Sequence, residues 1–393
     1  MYTFHRAVYA VLRALIRIWF AVSGQYRCET YTPRSKTSLI LTNHNTNWDF
    51  FYFGAPFRGH MYFVASEHIF RSGLVSRIIK FLVDPIARKK GASSIGTIRE
   101  IQRRLKKGQN VCMMAEGNRS FSGRTGFISP ATASLVKSCG AGLITFRIHG
   151  GYFVNPRWSR KTRKGPVWGE VAGQYTAEEL RAMTSKEVYD ILNRDLFVDA
   201  FEDQREKQYS YKTASPAETL ETALFACPDC GSFASLKSIG DRIVCENCGS
   251  EHILSDKGFF ERADGTAPAF DDVYEWSEWQ KTALKEYILS APAGSLIRSD
   301  EGARLYSVHP LSGKELAAEG TLSLYKDRLE IRGADGPIVS FPVTSINNMA
   351  VILVNTILFS HGDGYYQLSL PDRASALHYL ISYYYLNGKE YEK

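Results

Sequence analysis

The sequence predicts an α/β domain with a mostly parallel sheet, followed by a small cysteine-rich module and a β-rich region that ends in a helix. Three observations predict this order. From Lys36 onward, short apolar runs alternate with stretches of helical periodicity, the succession typical of a parallel sheet. Two Cys-x-x-Cys-Gly pairs follow. After about residue 305, short strand-like runs are separated by turns and closed by one helical segment.

Length and composition set the broad class of protein. A chain of 393 residues is long enough for two or three domains with a substantial core. With 44% apolar and 23% charged residues, the composition excludes bulk disorder. The net charge of +7 and the pI near 8.9 indicate an anionic partner, which leaves anionic lipid, coenzyme A, an acidic carrier protein and nucleic acid open. The cysteines outside the two pairs (Cys28, Cys112 and Cys139) fit a reducing compartment.

The first 24 residues predict an amphipathic helix. On a helix, Arg6, Arg13 and Arg17 fall within about 40° of one another and apolar side chains occupy the rest of the surface. The arginines interrupt the apolar run too often for a spanning helix, and no small-residue cleavage site marks a secretory signal. A wide apolar face with a narrow basic stripe is typical of a helix lying in a bilayer interface. A core-packing helix with three solvated arginines is the alternative.

The next elements place His44 at the end of a strand. Residues 25–32 indicate an edge strand or linker, and Ser38 to Leu41 a short buried strand that an Asn/Thr-rich turn ends. Asp49 begins an aromatic run five residues after His44 and can meet it only if the turn folds back. The carboxylate would then fix the imidazole tautomer, which makes a general base. By itself this spacing also fits a structural histidine.

A second polar motif follows another apolar strand. Residues 111–115 run directly into the sequence Glu-Gly-Asn-Arg-Ser at residues 116–120. Ligand sites in open α/β sheets lie at the carboxyl ends of strands. Both motifs are therefore expected at one edge of the sheet.

These two boxes, His44-x4-Asp49 and residues 116–120, resemble the glycerolipid acyltransferase family, in particular the 1-acylglycerol-3-phosphate acyltransferases, over about residues 35–175. The resemblance implies that His44 is the catalytic base and Asp49 its orienting partner. It further implies that the acceptor phosphate is bound by Arg88, Glu116, Gly117, Arg119 and Ser120. Asn118 stands where the family usually has Thr, and residues 144–148 replace a block that is normally proline-rich. These departures bear on the identity of the acceptor.

The resemblance implies an O-acyltransferase of phospholipid biosynthesis. It would move a fatty acyl group from acyl-CoA or acyl carrier protein to a lysophospholipid hydroxyl, converting 1-acyl-sn-glycerol-3-phosphate to phosphatidic acid. The thioester is a cosubstrate, and no organic cofactor or covalent nucleophile is required. Cys112 lies inside a predicted strand and is interpreted as a small buried hydrophobe. The expected partners are the acceptor, the donor and an anionic membrane surface, at a cytoplasmic, peripheral location on the inner face of the membrane.

The rest of the α/β region predicts further helices and strands. These are a strand at 61–65, a helix at 74–83, a basic loop or strand at 84–90, a helix from Ser93 or Ser94 to Lys107, a helix from Pro130 to about Gly140, strands at 142–148 and 167–171, a capping box at Thr176–Glu179 and one helix over about 185–207.

Three other segments of this region have more than one interpretation or a purely structural one. Residues 50–63 are a candidate wall for the acyl chain, or plain core. His149 has no acid at a useful spacing and is interpreted as structural. The basic run 157–164 fits a solvated hairpin and a contact with lipid or donor phosphates equally well.

Four cysteines form a strong metal pattern. Cys227 and Cys230, followed by Cys245 and Cys248, with a glycine-centred strand pair between them, resemble a zinc ribbon. Four thiolates match a closed tetrahedral Zn²⁺ site, so the zinc is expected to be structural. So small a module has little core of its own and would need the metal to fold.

The carboxyl-terminal third predicts six short strands and a helix from Arg373 to Leu386 that Asp372 caps. Strands closed by one helix resemble a pleckstrin-homology-like domain. The predicted boundaries are an interfacial helix at 1–24, the acyltransferase domain at 25–207, a linker at 208–226, the ribbon at 227–255, a partly helical linker at 256–304 and the β-rich domain at 305–393.

Two other classes of protein are compatible with parts of this sequence. A zinc ribbon with a basic charge balance is compatible with nucleic-acid recognition. Against it, only Lys237 and Arg242 lie between the cysteine pairs, too few for a track of phosphate contacts. A membrane adaptor built on an inactive transferase fold is the other alternative, and the intact His44, Asp49, Glu116 and Arg119 argue against it.

Overall fold

The computed structural model describes residues 1–66, 73–88, 95–309, 313–333, 336 and 338–391. The chain divides into two compact units. The first comprises residues 1–156 and 162–211, and the second comprises residues 157–161 and 212–393. The basic pair Lys89 and Lys90 and the predicted cap at Ser93 or Ser94 lie outside the described residues.

The first unit is built on a seven-stranded sheet. Its strands are β1 (Tyr26–Arg27), β2 (Ser38–Thr42), β3 (Met61–Ser66), β4 (Ile86–Arg88), β5 (Asn110–Met114), β6 (Gly142–His149) and β7 (Val167–Tyr175). They lie side by side in the order β1-β7-β6-β2-β5-β3-β4. In this part of the described chain all neighbours are parallel except β6 and β7, which are antiparallel. The predicted mostly parallel sheet is confirmed.

Helices pack around this sheet. They are α1 (Tyr2–Ser23), α2 (Asp49–Gly54), α3 (Leu74–Val83), α4 (Ile95–Lys106), α5 (Pro130–Cys139), α6 (Gly151–Val154), α7 (Ala177–Ala182), α8 (Ser185–Leu196) and α9 (Ala200–Lys207). The single helix predicted over 185–207 is wrong. The chain leaves the helix after Leu196, and the Asp199 carboxylate accepts hydrogen bonds from the Phe201 and Glu202 backbone amides, which begins a new helix.

The register of the central strands places the two polar motifs together. All five residues of β2 are buried, as expected for a strand with parallel neighbours and both faces covered. Thr42 at the end of β2 is paired with Met114 at the end of β5. His44 and Glu116 each follow this registered pair by two residues, so both motifs leave the sheet at the same edge.

The helix α1 presents its apolar side outward. Arg13 and Arg17 reach the backbone carbonyls of Pro56 and Ala55, just after the end of α2, at 3.5 Å each. The exposed large hydrophobic side chains of this helix are Phe4, Val11, Leu12, Leu15, Ile18, Trp19 and Val22, and Arg6 and Arg17 are exposed as well. Two of the three arginines thus contact protein, which differs from the alternative of a buried apolar face with solvated arginines. Among the described residues, no helix combines the length and apolarity needed to cross a membrane.

The second unit contains a four-stranded antiparallel sheet that carries the cysteine pairs. Its strands are β8 (Leu236–Ile239), β9 (Arg242–Cys245), β10 (Glu251–Leu254) and β11 (Phe260–Arg262), in the order β11-β10-β9-β8. The helix α10 (Val273–Ser290) follows. Residues 212–226, part of the predicted linker, are packed within this unit, since Ala217, Leu220, Leu224 and Phe225 are buried.

The described residues of the β-rich region in the second unit form seven antiparallel strands and a final helix. These are β12 (Leu296–His309), β13 (Gly313–Tyr325), β14 (Arg328–Arg332), β15 (Ile338–Pro342), β16 (Ile346–Ile352), β17 (Thr356–His361), β18 (Gly364–Ser369) and α11 (Ala376–Leu386). The predicted β-rich region ending in a helix is confirmed. Its first strand begins before the predicted boundary at residue 305, and Ser375, not Asp372, caps the helix. The likeness to a pleckstrin-homology domain stays a prediction.

Candidate active site and metal site

The turn after β2 folds back and joins His44 to Asp49. The His44 Nδ1 atom lies 2.7 Å from the Asp49 Oδ2 atom. The same carboxylate accepts hydrogen bonds from the Asn45 amide at 2.9 Å, the Thr46 amide at 3.0 Å and the Thr46 hydroxyl at 3.0 Å. Asp49 is fully buried, whereas the His44 side chain keeps 20% of its surface exposed. The local hydrogen bonds therefore hold the acid in one orientation toward the imidazole.

This pair fixes the tautomer of His44. A carboxylate only accepts hydrogen bonds, so Nδ1 carries the proton and Nε2 is the basic nitrogen. The arrangement can take a proton from a substrate hydroxyl and stabilise the imidazolium that results.

Glu116 holds the histidine loop. Its Oε1 atom accepts a hydrogen bond from the His44 amide at 2.7 Å, and its Oε2 atom accepts one from the Gly126 amide at 2.7 Å. The Ser120 amide donates to the His44 carbonyl at 3.2 Å. The second box is therefore bonded to the backbone on both sides of the imidazole, which restricts the position of the ring.

Arg119 links the same loop to residues beyond β6. Its Nε atom donates to the Asn45 carbonyl at 3.2 Å, its Nη1 atom donates to Asn47 Oδ1 at 2.9 Å, and its Nη2 atom donates to the Asn155 carbonyl. Burial lowers the pKa of Arg119 to about 10, which still leaves the guanidinium charged at neutral pH. A positive charge is thus buried next to the Asn/Thr-rich turn.

Arg88 reaches the second box from the carboxyl end of β4. Gly117 has φ +75°, and a Cβ added there would lie 2.7 Å from Arg88 Nη1. The left-handed backbone favours glycine, and a Cβ at this position would displace the Arg88 guanidinium. Burial lowers the pKa of Arg88, so a bound anion would favour its charged form.

The asparagines of the turn are site residues that spacing alone did not identify. Asn43 exchanges hydrogen bonds with the Ile148 backbone, donating at 2.9 Å and accepting at 2.8 Å. Asn45 donates to the same carbonyl at 3.1 Å. The alternation of asparagine in this segment could have indicated their role. Side-chain amides can form hydrogen bonds with backbone groups that lie beyond the end of a strand and have no partner in the sheet.

Other residues singled out in the sequence have structural surroundings that do not suit a catalytic role. Cys112 is fully buried, and burial together with Asp49 raises the pKa of its thiol well above the ordinary value, so it is not an activated nucleophile. In the basic run, Arg157 donates to the Val351 carbonyl at 2.8 Å and Arg160 pairs with Asp372 at 2.7 Å. These arginines make contacts within the second unit.

The four cysteines of the ribbon converge. Their sulfur atoms all lie within 4.8 Å of one another, and the Cys227–Cys248 and Cys230–Cys245 sulfur atoms are each 3.7 Å apart. A tetrahedral zinc ion with bonds of about 2.3 Å separates its thiolates by ~3.8 Å. The cluster therefore fits zinc and supplies all four ligands.

The basic residues of the ribbon are paired with acids. Lys237 lies 3.2 Å from Glu246, and Arg242 lies 2.8 Å from Glu251. Both basic side chains are held in surface ion pairs, which weakens the case for nucleic-acid recognition by this module.

Residues 24–149 match the family model described as Acyltransferase. These residues are similar to acyltransferase domains. The matched segment contains His44, Asp49, Arg88 and residues 116–120, and the match confirms the acyltransferase resemblance that the two boxes indicated. Among solved structures, the chain is similar to the 1-acyl-sn-glycerophosphate (LPA) acyltransferase PlsC from Thermotoga maritima, with 18% identity, a TM-score of 0.39, and coverage of 49% of this chain and 79% of that one. No curated protein is significantly similar in sequence.

Proposed function

We propose that the protein transfers a fatty acyl group from a thioester, on coenzyme A or acyl carrier protein, to the hydroxyl of a lysophospholipid, with 1-acyl-sn-glycerol-3-phosphate as the first candidate acceptor. One observation carries the proposal. The 2.7 Å contact between His44 and Asp49 lies at the same sheet edge as the loop of Glu116 and Gly117, against which Arg88 packs. This brings a general base and an anion-binding cation to one edge.

In the proposed reaction, His44 Nε2 takes the proton of the acceptor hydroxyl as its oxygen attacks the thioester carbonyl carbon. A C–O bond forms, the C–S bond breaks, and the leaving sulfur takes the proton from the imidazolium. Asp49 stabilises the charged imidazolium between the two proton transfers. The products are a diacyl phospholipid and a free thiol, without an acyl-enzyme.

Arg88 is the proposed ligand of the acceptor phosphate, since a guanidinium binds phosphate through two parallel hydrogen bonds. Gly117 leaves room for that guanidinium. Glu116, Arg119 and Ser120 contribute by holding the loops on which His44 and Gly117 lie. Fixing the phosphate in this way would orient the hydroxyl toward His44 and lower the entropic cost of the reaction.

The outer face of α1 and α3 is proposed to lie in the bilayer interface. Phe4 of α1 and Phe81 of α3 are in ring contact at 5.1 Å. On α3, Leu74, Val75, Ile78 and Phe81 are all exposed. An apolar surface of this extent on neighbouring helices, next to the basic residues Arg77 and Lys80, is typical of peripheral attachment to an anionic membrane.

The central experiment assays the purified protein with labelled acyl-CoA and acyl carrier protein against a panel of lysophospholipids. We expect transfer to a phosphate-bearing acceptor and its loss in His44→Ala. If the wild type transfers no acyl group to any lysolipid, or if His44→Ala retains full turnover, the proposed function is wrong.

The phosphate subsite is tested by Gly117→Ala with Gly140→Ala as its matched control. Gly140 also has a left-handed backbone, φ +62°, but a Cβ there would meet nothing within 4 Å. Both variants place an alanine on a left-handed backbone, and only Gly117→Ala displaces Arg88. We expect the KM for the acceptor to rise in Gly117→Ala alone. An equal change in both variants would remove Arg88 from the phosphate site.

The cysteine cluster is proposed to hold one structural Zn²⁺. Metal analysis of the purified chain should find one zinc per chain, and Cys230→Ser should lose it and destabilise the second unit. Cys28→Ser is the control, since Cys28 lies outside the cluster. Zinc retained in Cys230→Ser, or absent from the wild type, would contradict the proposal.

A further inference from the structure

An apolar groove lies between α1 and α2. It has a volume of about 310 Å³ and is lined by Leu15, Ile16, Trp19, Trp48 and Phe51. The Trp19 and Trp48 rings are 6.3 Å apart, and the Trp48 and Phe51 rings are 5.8 Å apart. Every lining side chain that the structure describes is apolar, and the volume falls at the lower end of the range for small-molecule sites, about 300–1,000 Å³.

The walls of the groove are partly exposed to solvent. Trp19 keeps 44% of its surface exposed, Trp48 38% and Phe51 37%. Aromatic surface of this extent is unfavourable in water, at about 25 cal/mol per Å². Clustered exposed apolar side chains of this kind mark an interaction site, and the apolar lining among the described residues favours a hydrocarbon chain as the ligand.

One wall of the groove belongs to the loop that carries the catalytic pair. Trp48 directly precedes Asp49, and its amide donates to the Thr46 hydroxyl at 2.7 Å. That hydroxyl in turn donates to Asp49 at 3.0 Å. The Phe51 amide donates to the Trp48 carbonyl at 2.8 Å. The groove therefore begins within one helical turn of the His44–Asp49 pair.

The opposite wall is continuous with the outer face of α1. Leu15 and Trp19 line the groove, and Val11, Ile18 and Val22 are exposed on the same helix. If this face lies in the bilayer interface, the groove opens where a lysophospholipid places its chain, whereas the charged carrier of a donor thioester approaches from water. We propose that the groove binds the acyl chain of the lysophospholipid acceptor, which rests on the function proposed above.

Tryptophan quenching tests binding without relying on turnover. Bromine atoms on a lipid chain quench tryptophans that they contact, and Trp19 and Trp48 both line the groove, whereas Trp158 and Trp276 are buried. With lysophosphatidic acid brominated along its chain, below its critical micelle concentration, we expect saturable quenching of the wild type. We expect most of this quenching to disappear in the Trp19→Phe/Trp48→Phe double variant.

Where quenching is observed, two results would overturn the inference. One is equal quenching of the double variant and the wild type. The other is quenching at these tryptophans by brominated acyl-CoA but not by the lysolipid, which would assign the groove to the donor chain. If the wild type shows the expected quenching but transfers no acyl group, the groove binds a lipid chain. The proposed acyl transfer is then wrong. Acyl transfer without quenching would support the proposed reaction and contradict binding of the acceptor chain in the groove.

Filling the groove gives a kinetic test. Leu15→Trp adds bulk inside it, and Ile18→Trp is the matched control, because Ile18 is exposed on the same helix and does not line it. We expect Leu15→Trp to raise the KM for a long-chain acceptor about tenfold, with little change for a hexanoyl acceptor or for the donor. A shift in the donor KM instead, or the same shift in both variants, would contradict the proposal.

Discussion

Two histidine–aspartate pairs lie at the carboxyl ends of neighbouring strands in the first unit. His44 follows β2 and is 2.7 Å from Asp49, and His149 ends β6 and is 2.6 Å from Asp203. In both pairs the Nδ1 atom faces the carboxylate. The hydrogen bond alone therefore does not distinguish a catalytic histidine from a structural one.

The surroundings of the two rings distinguish them. The His149 ring is stacked on Trp168 at 5.2 Å with an interplanar angle of 6°, and its Nε2 atom lies 3.6 Å from a Glu170 carboxylate oxygen. Its side chain is 10% exposed, half the value for His44. His149 thus faces acids on both nitrogens and connects β6, β7 and α9. His44 instead lies beside a loop held by Glu116 and Arg119 and next to an apolar groove.

Removing each histidine should give the largest contrast. His44→Gln is expected to lower kcat/KM for acyl transfer by about 10²–10⁴, because the general base is lost. His149→Gln should leave kcat/KM within a few-fold of the wild type, because both ring nitrogens of His149 face carboxylates and its ring is stacked on Trp168. Circular dichroism checks that both variants fold. A greater loss of turnover in His149→Gln would exchange the two roles.

Replacing each acid should separate catalysis from stability. Asp49→Asn is expected to lower kcat strongly, because an amide no longer fixes the His44 tautomer or stabilises the imidazolium. Asp203→Asn should instead lower the free energy of unfolding by about 1–3 kcal/mol, the value of a charge-assisted hydrogen bond, with kcat unchanged. Urea unfolding and steady-state kinetics on the two variants test this. Matching effects on turnover would show that the pairs are not functionally distinct.

Removing the hydrogen bonds from Glu116 to the His44 loop should have an intermediate effect on kcat. Glu116→Gln keeps one acceptor oxygen for one of the two amides at 2.7 Å, whereas Glu116→Ala keeps none. We expect kcat to fall about tenfold in Glu116→Ala and less in Glu116→Gln, with little change in donor KM. If only the acceptor KM changes, Glu116 acts on the phosphate site and not on the position of His44.

His60 is a third histidine for comparison, buried next to cations. Its replacement is expected to have the smallest effect, a change in the pH dependence of unfolding. Burial, with His5, Arg6 and Arg104 nearby, lowers the pKa of His60 from 6.5 to about 4. Between these values the unfolded chain binds a proton that the folded chain does not, so stability falls as pH drops from 6.5 toward 4. His60→Asn should flatten this part of the pH dependence of unfolding relative to the wild type. An identical pH profile would show that His60 titrates normally.

The sequence determined which residues could form the site. Parallel strands share one edge at their carboxyl ends, so motifs that follow Thr42 and Met114 had to emerge together. The acid for His44 was visible because it lies in the same turn. Likewise, the four cysteines lie in two tight turns, and the structure brings their sulfur atoms together.

Only the tertiary structure decided the contacts that give these residues their roles. Asp203 reaches His149 from 54 residues away, and Trp19 meets Trp48 across two helices. Glu116, expected to help bind the acceptor phosphate, bonds to the amides of His44 and Gly126. Spacing along a chain reports positions within a helix, strand or turn, because the local backbone geometry is periodic. Which distant side chains touch depends on how those elements pack, and that information is not present in the spacing.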